Sequence, residues 1–323
     1  MPGVAETILA GVRADGLLSP GQPVVVMLSG GRDSTCLLDA AVAVAGADAV
    51  AALHVNYGLR AEAEDDERHC RELCGAMGVE LTVRRAGGER PASGNVQDWA
   101  RRVRYAAAAA LAAARAADIA AGHTATDQVE TILYRIASSP SRRALLGMSP
   151  RDGALIRPLL AFTREQTGAY CQDRGLAWRE DESNASDAYA RSRIRHRLVP
   201  ALRQVHPGAE RNVLMLAERL RDEAEVLDAL VERELGGRAE IELKQLRALA
   251  PAIARLIVQR LADGVGGRPT PGAARRLDEI LALREVGVMH LDLPGGVRAT
   301  AASGLLSFSS TPPPRTPRTA ADP

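Results

Sequence analysis

Hydrophobic and polar positions alternate in two distinct ways along the chain. In the first half, short β-branched or apolar runs are separated by helical stretches. Pro23–Leu28 (PVVVML) reads as a strand, then a glycine turn and a helix from Asp33 to about Ala45. Ala49–Val55 (AVAALHV) is a second buried strand, followed by an acidic helix over Glu62–Met77. Val79–Arg84 alternates as a third strand, and an alanine-rich helix covers Val96–Ala116. Asp118–Ala121 is a short strand before a helix that starts near Thr124. Strands alternating with helices predict an α/β fold, a doubly wound parallel sheet covered on both faces. Ligands of such sheets sit at the carboxyl ends of the strands.

After about Leu160 the period becomes helical. A helix is expected over Thr163–Arg174, then a polar loop REDESNAS at Arg179–Ser186, then helical patterns over Ala188–Leu235. Ile194, Leu198, Leu202 and Val205 form an apolar stripe, which Pro200 should interrupt or restart. Helices over Pro251–Asp263 and Pro271–Leu283 precede strand-like Val288–Leu293 and Leu305–Phe308. The pattern divides the chain into residues 1–160, a helical 161–235, a small α+β region 236–310 and a tail 311–323. The tail, TPPPRTPRTAADP, is rich in proline, lacks packable apolar residues and reads as disordered.

Composition narrows the class. A length of 323 residues suggests about two domains, and 46% hydrophobic with 25% charged residues is ordinary for globular proteins. No run of ~18 apolar residues predicts a membrane span. The start, MPGVAETILAGVRADG, has no long apolar core and does not read as a secretory leader. Four scattered cysteines do not make a disulfide framework, so a reducing cytoplasm is expected. Cys70 and Cys74 stand one helical turn apart beside His69, but no further Cys/His set accompanies them, and they read as packing residues. The acidic run Glu62–Glu67 reads as a solvated helix face. Net charge is +1, yet every basic residue except Lys244 is arginine, and only nine residues are aromatic. Any nucleic-acid contact would therefore rest on arginine–phosphate pairing more than on base stacking.

Chemistry concentrates first in Ser29-Gly30-Gly31-Arg32-Asp33-Ser34, between a buried strand and a helix. Glycines permit close backbone approach, and hydroxyls with free N–H groups at a helix start suit a pyrophosphate. Asp33 would repel bare phosphate, which points to a bridging Mg²⁺. The run is not a Walker A loop. The alternative is a tight turn in which Asp33 or Ser34 helps to cap the helix.

This run matches the SGGxDS signature of the PP-loop ATP pyrophosphatases. Within that superfamily the chain resembles the tRNA(Ile)-lysidine synthetases over about Pro23–Leu235. The further matches are LHVNYGLR at Leu53–Arg60, ARRVRY at Ala100–Tyr105, GHTATDQVET at Gly122–Thr131, and DESN with RSRIRHRLVP between Asp181 and Pro200. The resemblance implies a C–N bond-forming ligase. ATP adenylates the wobble cytidine of a tRNA(Ile) with a CAU anticodon, and the amine of free L-lysine displaces AMP. It makes residues 1–160 the ATP-binding catalytic domain, with ATP and Mg²⁺ held through Asp33; residues 236–310 are assigned to tRNA docking from their position in the chain alone, and a homodimer is left open. The chain departs from the family at Thr126, Ser192 and Gln97, where an aspartate, an asparagine and a glutamate are usual.

Two further groups complete the expected site. His123, Asp127 and Glu130 lie just past a predicted strand end, with Asp127 and Glu130 on one helix face. By the resemblance they are assigned to catalysis or lysine binding; on spacing alone, Thr124-x-x-Asp127 is also a capping box. The stretch Tyr189–Arg221 holds eight arginines against two glutamates. Arg191 and Arg195 share one flank and, with Arg104, are assigned to the active site. Arg193 and Arg197 share the other and, with Arg203, are assigned to tRNA. The alternative is that these arginines are solvated. Two other functions remain open, a base-thiolating PP-loop enzyme, disfavoured by the lack of a CxxC pair, and a non-catalytic tRNA-binding paralogue.

Overall fold

A computed structural model describes residues 3–59, 61–91, 93–139, 142–180, 190–267 and 270–312. The chain forms two compact units, Met1–Leu220 and Arg221–Pro323. The polar loop beyond Glu180 and the tail from residue 313 lie outside the described residues.

In the first unit the strands are β1 (Val24–Met27), β2 (Val50–Asn56), β3 (Glu80–Arg85), β4 (Asp118–Ala120), β5 (Arg151–Asp152) and β6 (Leu155–Ile156). The sheet order is β3-β2-β1-β4-β6-β5, parallel except for the edge pair β5–β6. The connecting helices are α1 (Val4–Ala14), α2 (Arg32–Ala45), α3 (Ala63–Met77), α4 (Val96–Arg115), α5 (Ala125–Ser138) and α6 (Arg164–Asp173). All four β1 side chains are buried. Val24 and Val26 join a core with α1, α2, α3 and α6, while Val25 and Met27 join a second core with α4. This is the doubly wound α/β arrangement that the apolar runs predict. After β1 the chain steps to β2 and β3 on one side, then returns to β4 on the other. The crevice between the β1 and β4 ends is therefore the switch point of the sheet.

The basic stretch departs from a regular helix. It comprises α7 (Ala190–Arg193), a π-helical turn Ile194–Leu198, and α8 (Val199–Val205). Val199 N–H donates to the Ile194 carbonyl, five residues back. Pro200 has no N–H to donate, and its ring would crowd the carbonyl four residues before it; the wide turn relieves that conflict. The extra residue shifts the buried face. Ile194 and Val199 pack with Val129 of α5, whereas Leu198 and Val205 of the expected stripe are exposed.

The second unit is described separately. The end of α9 (Ala209–Leu235), with α10 (Leu243–Ala248), α11 (Pro251–Gly266) and α12 (Leu277–Leu281), covers an antiparallel sheet. Its strands are β7 (Glu240–Glu242), β8 (Val288–Leu293), β9 (Val297–Ala302) and β10 (Leu305–Ser310), ordered β7-β10-β9-β8. Among the described residues no helix is long and apolar enough to cross a membrane.

Glu67 is not on a solvated face. It is 4% exposed and receives bonds from Arg85, Arg71 and Asn56, tying α3 to β2 and β3. The Arg85 bond, aided by those of Arg71 and Asn56 and opposed by burial, holds its carboxyl down to about 2. A depressed carboxylate stabilises the fold above its ordinary value of 4.5 and loses that contribution as pH falls through about 2. Glu67→Gln should therefore cost on the order of 2 kcal/mol at neutral pH. The gap in melting temperature between variant and wild type should close below pH 4.5; a pH-independent gap would refute the assignment.

Candidate nucleotide and substrate site

The Ser29–Ser34 loop leaves the end of β1 and enters α2. Gly31 is the N-cap and no side chain caps the helix, so its first N–H groups stay available to a ligand. Ser34 Oγ donates to the Gly31 carbonyl (2.9 Å), accepts from Ser29 N–H (3.2 Å) and lies 3.0 Å from Ser29 Oγ. Gly30 has φ +82°, and a Cβ there would stand 3.2 Å from Cys70 Sγ. At the end of β4, a Cβ on Gly122 would meet the Asp33 carbonyl oxygen at 3.2 Å. These two glycines let the loop, α3 and β4 close on one another.

Asp33, in the first turn of α2, is met by Thr167 Oγ1 (2.5 Å) and Arg164 Nε (3.3 Å), both from α6. Burial raises its carboxyl above the usual range, and Thr167 and Arg164 counter the rise. Arg32 stands 4.0 Å away. Across the crevice, Thr124 caps α5. Its N–H and Oγ1 both donate to Asp127 Oδ2 at 2.9 Å. Asp127 is therefore a cap, but with one oxygen only. Its Oδ1 faces Arg164 (3.6 Å), Arg191 (3.8 Å) and Arg195 (3.8 Å). Burial alone would raise this carboxyl; Arg164, Arg191 and the Thr124 cap outweigh it and lower it.

Glu130, one turn on, is fully buried. It accepts from Arg195 Nε (2.6 Å) and a second Arg195 nitrogen (3.0 Å), and from Arg191 Nε (3.3 Å). It is not among the residues lining the crevice. Glu130 thus stands behind Arg191 and Arg195, bonded to both, and does not line the cavity.

These groups wall a cavity of about 640 Å³. Its lining joins the loop, Asp33 and Arg164 to His123, Asp127, Arg191, Arg195 and Arg104. Three polar atoms of lining residues are buried without a hydrogen-bond partner among the described residues: Arg104 Nε, the Tyr105 hydroxyl and His123 Nδ1. Buried polar groups are rarely left unpaired, so these three need a partner that the surrounding side chains do not supply. Burial, with Arg157, Arg191 and Arg101 adding and Asp127 opposing, lowers the His123 ring to about 4, so it is neutral near pH 7.

The remaining sequence candidates lie elsewhere. Arg193 and Arg197 are exposed and do not line the cavity. Arg203 on α8 pairs with Glu210. Arg101 stacks over the Tyr105 ring at 4.6 Å. Ser192 is half-buried, Gln97 lies in the first turn of α4 capped by Asn95, and the Thr126 hydroxyl accepts from Arg164 N–H (3.1 Å). The motif residues Asp181–Tyr189 lie outside the described residues. Sequence reasoning missed Arg164 and Thr167, and also Arg179. Arg179 donates its N–H to the Gly30 carbonyl (2.9 Å) and its Nε to Asp66 (2.5 Å), strapping residues 178–180 over the loop.

A Ser-Gly-Gly loop at the switch point of a doubly wound sheet defines a PP-loop domain, and the PP-loop domain family matches residues 7–202. The chain belongs to that family and, within it, to the tRNA(Ile)-lysidine synthases. It is 36% identical to the tRNA(Ile)-lysidine synthase of Symbiobacterium thermophilum, covering 92% of this chain and 67% of that one. Against the synthase of Thermus thermophilus the identity is also 36%, with 93% and 59% covered; against that of Geobacter sulfurreducens it is 38%, with 71% and 51%. The chain thus spans about half to two thirds of the length of these relatives. The fold is also that of a U34-tRNA thiolase from Methanococcus maripaludis, with a TM-score of 0.57, 18% identity, and 67% and 78% of the two chains covered.

Two measurements test this geometry. Arg195→Ala strips Glu130 of its bidentate partner and should cost about 3 kcal/mol in urea unfolding. Adding Glu130→Ala should recover part of that loss, whereas simple addition of the two costs would uncouple the pair. The His123 ring signals should show no protonation in NMR spectra until pH approaches about 4; a midpoint near its ordinary 6.5 would place the ring in solvent.

Proposed function

We propose that the protein is a cytoplasmic tRNA(Ile)-lysidine synthase that joins free L-lysine to the wobble cytidine of a CAU anticodon, converting ATP to AMP and pyrophosphate. The observation that carries this reading is one cavity lined both by the uncapped Ser-Gly-Gly loop and by charged and partly unpartnered polar side chains. Membership of the family supplies the substrate class.

An amine does not expel a carbonyl oxygen from cytosine at neutral pH, so that oxygen must first become a leaving group. It attacks the α-phosphorus of ATP, and the bond to pyrophosphate breaks. The lysine nitrogen then bonds to the carbonyl carbon and loses its proton, and AMP departs with the oxygen. The loop N–H groups and Ser29 and Ser34 would cradle the pyrophosphate. Arg191, Arg195 and Arg104 would neutralise charge that develops on phosphate. Asp127 Oδ1 would hold the incoming ammonium. His123, neutral, would accept a hydrogen bond at Nδ1 in its Nε2-protonated form. Arg193 and Arg197, both exposed, would meet the tRNA backbone.

Among the described residues no group of three or more His, Cys, Asp or Glu could hold a metal by itself. Asp33 offers a hard oxygen in the cavity, which suits Mg²⁺ that completes its shell with nucleotide oxygens. When bound, the ion would neutralise the phosphates.

Sulfur transfer is not favoured. All four cysteines are buried, and none lines the cavity. Burial pushes the thiols of Cys70 and Cys171 up to about 12 and that of Cys74 to about 11.

Mass spectrometry of the anticodon loop after reaction with ATP and lysine tests the reading directly: a lysine adduct on the wobble cytidine is expected, and sulfur gain or no change would reject it. Asp33→Ala should abolish AMP release while tRNA binding persists. Unchanged AMP release would take the loop out of the mechanism.

A further inference from the structure

Asp33 and Asp127 face each other from the first turns of α2 and α5. Each has one oxygen engaged by a threonine hydroxyl: Thr167 of α6 donates to Asp33 Oδ1 and Thr124 to Asp127 Oδ2. Each leaves its other oxygen turned to the same guanidinium, and Asp127 Oδ1 also faces Arg191 and Arg195 at 3.8 Å each. Arg164 Nε lies 3.3 Å from Asp33 Oδ2, and a terminal Arg164 nitrogen lies 3.6 Å from Asp127 Oδ1. Two carboxylates turned towards one cation form a divalent-ion site in outline, here filled by an arginine.

The backbone that carries Arg164 is fixed. Its N–H donates to Thr126 Oγ1 (3.1 Å), and its carbonyl oxygen lies 3.0 Å from Thr167 Oγ1, the hydroxyl whose proton goes to Asp33. Ala125 N–H donates to the Phe162 carbonyl (2.7 Å), joining the same two helix starts. The side chain is different: it is 22% exposed and lines the cavity, so it has room to leave.

We propose that Arg164 is a placeholder cation. In the nucleotide-free protein it neutralises Asp33 and Asp127 together and keeps a divalent ion from settling between them. It yields Asp33 Oδ2 only when an ion arrives with the triphosphate, whose negative charge offers the guanidinium a new partner. Arg164 is thus a positioning residue that makes metal binding depend on nucleotide. This inference rests on the ATP reading of the loop.

Mn²⁺ binding to the nucleotide-free protein, followed by electron paramagnetic resonance, tests it without turnover. Wild type should bind Mn²⁺ weakly. Arg164→Gln, which keeps polarity and removes charge, should bind about tenfold tighter or more. Arg164→Lys should stay near wild type, and adding Asp33→Asn to Arg164→Gln should erase the gain. Equal affinity in wild type and Arg164→Gln, or a gain that survives Asp33→Asn, overturns the proposal. Should Arg164→Gln not fold, Arg164→Met serves in its place, with Mn²⁺ expected to raise its melting temperature and not that of wild type. Mn²⁺ with a non-hydrolysable ATP analogue on wild type separates the two levels. No binding there overturns the nucleotide reading itself, whereas binding there without a gain in the variant overturns only the role of Arg164.

Discussion

Charge that is taken out of water must be paired, and the site is organised around that requirement. Asp33, Arg164, Asp127, Arg195 and Glu130 form a continuous alternation of carboxylate and guanidinium across the crevice. Glu130 and Asp127 are almost wholly buried, so each would be costly without its arginines. No single element supplies the set. The parallel sheet brings the starts of α2 and α5 to the same end, α6 docks its own start beside them, and the α7 segment lays two arginines across the top. Helix starts carry partial positive charge, which favours Asp33 and Asp127 where they stand. Folding and site assembly are thus one event: the charge alternation closes only when four separate segments have met.

Much of this was legible from local pattern. The first four strands match the expected strand runs to within a residue at each end, and the loop is readable because its six residues are contiguous between a strand and a helix. Asp127 illustrates an ambiguity that the sequence could not resolve, since its spacing fits both a cap and a ligand group; the structure divides the roles between its two oxygens. Arg164 and Thr167 were invisible because they meet Asp33 from more than a hundred residues away, on a helix with no motif to mark it. Glu67 sat in an acidic run that looked solvated, and only the distant Arg85 explains its burial. β9 was missed because its inward positions, Val297, Ala299 and Ala301, are too small to signal a strand.

The π-helical turn marks the limit of periodic reasoning. A stripe drawn at helical spacing assumes one register throughout, and Pro200 breaks that assumption in the segment that carries Arg191 and Arg195. The resulting offset leaves both arginines on Glu130 while Ile194 and Val199 anchor the segment to α5. The same few residues therefore decide how the segment packs and where its charges go.

Every permanent cation in the cavity wall is a guanidinium, supplied by Arg32, Arg104, Arg164, Arg179, Arg191 and Arg195. The first 243 residues contain no lysine at all. A guanidinium keeps its proton throughout the pH range in which proteins stay folded, so it has no lone pair to offer an electrophile. The six groups can thus surround a bound anion with positive charge and never act as nucleophiles themselves.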